Sequence, residues 1–112
     1  MAQNFNIAPY PSIKIIDKQN DLCNVFIKTG CYSCKDNCIS LFINNRHIKD
    51  ILRTLVHELV HHHQWLKDPE RYERIKNKGS LKDNRQLRRL ESEAYLLGNL
   101  YFRMFTEQFT KQ

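Results

Sequence analysis

The sequence contains no apolar run approaching the roughly 18 residues of a membrane-crossing helix, which excludes a transmembrane helix. Its opening stretch, MAQNFNIAPYPSIKII, has no basic start, no long apolar core and no cleavage site. No secretory signal is visible, so the expected setting is cytoplasmic and no membrane association is expected. There is no internal repeat, no low-complexity tract, no interdomain linker and no propeptide-like segment. At 112 residues the chain has room for one domain, 1–112, with a thin stability margin. Hydrophobic residues at 41% and charged residues at 27% fit a folded soluble domain rather than a disordered tail.

The charge is present but unevenly spread. Lys67–Arg89 holds nine basic and four acidic residues, which gives +5 of the chain's net +6. Such a segment suits nucleic acid or another acidic partner. It equally suits a solvated helix–loop–helix with a basic bias. Only Tyr72 interleaves the charges, and a stacking platform for nucleic acid would want more aromatics.

The pattern predicts an α+β fold. The β-branched run at Ser12–Asp17 and the apolar runs at Leu22–Lys28 and Cys38–Asn44 read as strands of a small antiparallel sheet, separated by turn residues. From about His47 to Leu66 the apolar residues Ile48, Ile51, Leu52, Leu55, Leu59 and Leu66 fall on one side of a helical wheel. Asp50, Thr54, His57, His61 and Gln64 fall on the other. This predicts a helix that buries its aliphatic face and presents a polar one. Asp68-Pro69-Glu70 predicts the start of a short basic helix running to about Asn77. Lys78–Gly79 ends it, and Ser80-x-x-Asp83 announces a long helix to about Phe109.

The chemistry-bearing motif is His57-Glu58-Leu59-Val60-His61. Two imidazoles at i and i+4 share one helix face and can reach a single Zn²⁺. Glu58 lies beside them, where it can take a proton from water and give it to a leaving amine. A catalytic zinc needs a third protein ligand and an open position. Glu91 and Glu93 are the candidates. Glu91 lies in the middle of an apolar face with Leu87, Ala94, Gly98, Phe102 and Phe105, where a lone carboxylate is costly unless compensated. Glu93 lies on the opposite side, as an alternative ligand, a surface carboxylate or a support for a ligating histidine. His62 and His63 point away from His57 and read as edge-of-core or surface residues. His47 reads as a cap residue. Trp65 either walls the cleft or packs structurally.

These motifs resemble the gluzincin branch of the zincin metallopeptidases, and the short chain resembles its minimal single-domain minigluzincins. The resemblance spans about Leu41–Phe105. It implies His57, His61 and Glu91 as zinc ligands, Glu58 as general base and an endopeptidase activity. His57-Glu-Leu-Val-His61-His-His-Gln64 is also similar to the HELxHxxQ variant of such proteins. Many relatives follow Glu-x-x-Ala with an aspartate that supports a ligating histidine, whereas here Tyr95 follows. That support would fall to Asp50, Gln64 or Glu93. The resemblance further implies an extended peptide substrate paired to an exposed edge strand, for which residues 39–44 are the candidate. His63, Tyr95 and Tyr101 are candidates for stabilising an oxyanion.

Cys23, Cys31, Cys34 and Cys38 are a weaker signal. Cys31-x-x-Cys34 is half of a metal knuckle, and four thiols near one hairpin suit a second, structural zinc. Disulfides or free thiols are the other readings, and the paired CxxC…CxxC form is missing. The expected function is a zinc metallopeptidase. The alternative is a metal-binding interaction module, associated with nucleic acid through 67–89, for which Glu58 has no chemical use. The sequence does not speak to oligomeric state.

Overall fold

The computed structural model describes residues 8–17, 29–77 and 85–110, with side chains described as far as residue 107. The expected strand at Leu22–Lys28 and the capping signal at Ser80-x-x-Asp83 lie outside those residues. Among the described residues, three strands and three helices make the α+β arrangement: β1 (Ser12–Ile16), β2 (Gly30–Ser33), β3 (Cys38–Phe42), α1 (Ile48–Lys67), α2 (Pro69–Asn77) and α3 (Arg85–Thr110). Among the described residues no helix is long and apolar enough to cross a membrane.

The sheet is mixed, with order β1-β3-β2. β2 and β3 form the expected kind of antiparallel pair, closed by a turn in which Asn37 takes φ 49°. Asparagine tolerates that left-handed conformation better than most residues. β1 instead runs parallel to β3, in register from Ser12↔Cys38 to Ile16↔Phe42. Residues 17–37 provide the long connection that parallel pairing needs and a hairpin would not. β2 has no counterpart among the strands expected from the sequence. Gly-Cys-Tyr-Ser has no β-branched run; its pairing to β3 makes it a strand.

β3 is therefore the central strand. The expected peptide-binding edge at 39–44 is wrong, because both sides of that strand already carry ladder partners. Among the described residues the edges are β1 and β2. Ile39 and Leu41 of β3 are buried, and their β2 partners Tyr32 and Gly30 share the face turned to α1. Gly30 has no room for a side chain: a Cβ there would stand 2.5 Å from the Thr54 methyl carbon. Glycine thus sets how closely β2 approaches α1.

His47 caps α1, its ring Nδ1 accepting from the Lys49 amide at 3.0 Å. Asp68 caps α2, its carboxylate accepting from the Arg71 amide at 3.2 Å, with Pro69 in the first position. The burial of α1 reverses the expectation. Its buried residues are Glu58, Val60, His61, His62 and Gln64, while Ile48 is exposed and Leu52, Leu55 and Leu59 are only half-buried. The cause is α3, which crosses the histidine face. Ala94 is fully buried, and a Cβ on Gly98 would lie 3.4 Å from the His57 Cα. Two small residues let the helices meet across a polar face. Nearby, Tyr72 and Ile75 of α2 and Leu87 and Leu90 of α3 form an apolar cluster, with Tyr32, Cys34 and Trp65 packed on it.

Arg46 ties the sheet to α1. Its guanidinium donates to the carbonyls of Thr29, Phe42 and Asp50 at 3.1, 2.9 and 3.0 Å, and to the Thr54 hydroxyl at 2.7 Å.

Candidate metal centre

The crossing of α1 and α3 brings His57, His61 and Glu91 together. One ligand atom from each lies within 4.8 Å of the others. Glu91 Oε1 stands 3.4 Å from His57 Nε2 and 3.1 Å from His61 Nε2. Among the described residues this is the only such group of three, and it could hold a metal ion. Glu93 is not in it.

Hydrogen bonding fixes the orientation of His61. Gln64 is buried, and its amide nitrogen is 2.9 Å from the Leu90 carbonyl and 2.8 Å from Glu93 Oε1. Both partners accept, so the Gln64 nitrogen faces them and its oxygen faces His61 Nδ1 at 2.9 Å. Nδ1 carries the hydrogen, and the Nε2 lone pair is aimed at Glu91. That nitrogen and the Glu91 oxygen, 3.1 Å apart, are both atoms that bind a cation. Two imidazole nitrogens and one carboxylate oxygen are the donor set that suits zinc, so the residues present fit such an ion. Of the three residues considered for histidine support, Gln64 makes the contact and Glu93 acts through it. Asp50 instead faces Arg53, at 3.4 Å.

The two carboxylates differ sharply. Burial pushes the Glu58 carboxyl up, and the nearby His61 and His57 only partly offset it. Burial also acts to raise Glu91, but hydrogen bonds from His57 and His61, with the charges of His61 and Lys76, outweigh it. They hold that carboxyl well below the usual range. Lys76 Nζ is 3.7 Å from Glu91 Oε2.

A cleft of about 330 Å³ opens beside the pair His57 and Glu58. Thr29 and Gly30 form one wall, and Ala94, Tyr95, Gly98 and Asn99 form the other. The Tyr95 ring packs against His57, with centroids 4.4 Å apart. Of the three residues considered for an oxyanion, Tyr95 is the one that lines this cleft.

Sequence reasoning missed three residues here: Lys76, Tyr72 and Arg46. Tyr72 is buried with its ring 6.2 Å from that of His61; burial pushes its hydroxyl up, reinforced by Tyr32 and Glu58. The signal was available, since Tyr72 is the one aromatic in the basic segment.

The other histidines stay out of the group. His62 is fully buried in the core rather than at its edge. Its Nδ1 is 2.8 Å from the Tyr32 hydroxyl and its Nε2 is 2.8 Å from the Pro9 carbonyl. His63 is half-buried. Trp65 packs on the apolar cluster. Cys31, Cys34 and Cys38 are free thiols and do not gather into a metal-binding group; Cys23 lies outside the described residues. Cys34 contacts Glu73 at 3.9 Å, and burial pushes its thiol up, aided by the Glu73 charge.

No protein-family model, curated protein or solved structure matches the chain.

Proposed function

We propose that the chain is a zinc-dependent metallopeptidase. The observation that carries this reading is the convergence of His57, His61 and Glu91 beside a buried Glu58 that lines a cleft. His57, His61 and Glu91 would hold the ion. When bound, zinc supplies Lewis acidity toward a carbonyl and makes water a better nucleophile near neutral pH. Glu58 takes the proton of the attacking water and returns it to the leaving nitrogen. Its burial suits both halves of that task, because a raised pKa lets a carboxyl hold a proton before releasing it. Gln64 keeps His61 turned toward the ion. The Gly30 side of the cleft is where β2 approaches α1, so an extended peptide would lie there rather than along β3.

The test combines metal stoichiometry with cleavage of an unstructured protein such as casein. Wild-type protein should carry about one zinc and cut casein. Glu58→Gln should retain the zinc and lose about 10²- to 10⁴-fold in cleavage rate. Full metal retention by His57→Ala would remove the site. Undiminished cleavage by Glu58→Gln would remove the mechanism. Zinc binding with no cleavage by wild type would favour the interaction module.

A further inference from the structure

The outer face of α3 carries a second pattern, which meets the metal centre only through the bond between Glu93 and Gln64. Arg89, Glu93, Leu96, Leu100, Arg103 and Glu107 follow one another at alternating spacings of four and three residues. That is the spacing of a seam along which two helices pack. All six residues are exposed, Leu96 at 72% and Leu100 at 44%. The centre of the stripe is apolar and its flanks are charged.

The order of the charges identifies the occupant. Leu96 and Leu100 are equidistant from Gly98, as are Glu93 and Arg103, and Arg89 and Glu107. A second α3 laid antiparallel about a two-fold axis near Gly98 sets Leu96 against Leu100, Glu93 against Arg103 and Arg89 against Glu107. Each pairing occurs twice. The same stripe laid parallel opposes arginine to arginine and glutamate to glutamate. Arg89 and Arg103 have no ion-pair partner among the described residues. Glu93 accepts from Gln64 through Oε1 and is otherwise exposed.

We propose that this face of α3 is a homodimer interface, with a second copy of the chain bound antiparallel through Leu96 and Leu100. The interface is isologous, as a two-fold axis requires. It leaves the cleft open, because the cleft lies on the opposite side of α3, along Ala94 and Gly98. The inference stands independently of the metallopeptidase reading.

Sedimentation equilibrium of the full chain is the test. Wild type should sediment at twice 13.5 kDa, and Leu96→Glu/Leu100→Glu at 13.5 kDa with unchanged circular dichroism and metal content. A monomeric wild type at about 100 μM, a weak concentration for any functional dimer, overturns the proposal. So does a double variant that stays dimeric. Charge exchange gives a second arm on exposed positions that folding tolerates. Arg89→Glu and Glu107→Arg alone should each weaken the dimer roughly tenfold, and the two together should restore it. Failure of that restoration overturns the antiparallel seam.

Discussion

Glu58 and Glu91 are carboxylates of one site, yet their surroundings drive them in opposite directions. Glu58 sits deeper, with 9% of its surface exposed, and desolvation dominates it. Glu91 keeps 23% of its side chain exposed and faces two imidazoles and an ammonium group. The difference separates two jobs. A carboxyl held below its usual range stays anionic and suits a ligand. A carboxyl pushed up suits a group that gains and loses a proton.

Exchanging the candidates for the ligand should have the largest effect. Glu91→Gln should abolish stoichiometric metal binding, while Glu93→Gln should leave it within about tenfold of wild type. Equal losses in metal titrations of the two variants would erase the distinction between ligand and support. Next comes the relay. Gln64→Leu should lower metal affinity by about 10- to 100-fold, because His61 loses the acceptor that sets its tautomer. Affinity unchanged in a competition titration would mean that His61 orients itself.

The smallest effect is on the pH dependence of stability in metal-free protein. The Glu91 carboxyl lies below its ordinary value of 4.5 in the fold. Its contribution is therefore present above that value and is lost as the pH falls through the lower folded-state range. The Glu58 carboxyl lies above 4.5. Its protonated form favours the fold, and that advantage is fully present in acid and lost as the pH rises through the raised range. At neutral pH Glu91→Gln should thus lower the melting temperature and Glu58→Gln should raise it. The two differences should both shrink in acid. Melting curves that shift the same way for both variants would show that the carboxylates share one environment.

The sequence made parts of this legible for physical reasons. HExxH fixes a helix face by spacing alone, and Ala94 and Gly98 announce a close crossing because small side chains have few other uses on such a face. Glu91 was legible as a carboxylate among apolar neighbours. Other features needed the third dimension. The burial of the polar face of α1 depends on where α3 lands, which the α1 sequence does not encode. Tertiary contact overrides its aliphatic stripe. β2 has weak strand propensity and exists through its pairing with β3. The parallel setting of β1 is fixed by its pairing with β3, which the β1 sequence does not encode. Lys76 and Arg46 look like ordinary surface cations until their partners are known.

Tyr72 and Ile75 anchor α2 from its inner side, Arg71 and Arg74 project from the exposed side, and Lys76 reaches over the Tyr72 ring toward Glu91. The basic connector is in this part a rigid mount, not a tether. An acidic molecule meeting α2 encounters cationic stems on a backbone already fixed in place, so little backbone entropy is lost on contact. Charge counted in the sequence as an excess becomes, at Lys76, oriented charge set 3.7 Å from Glu91.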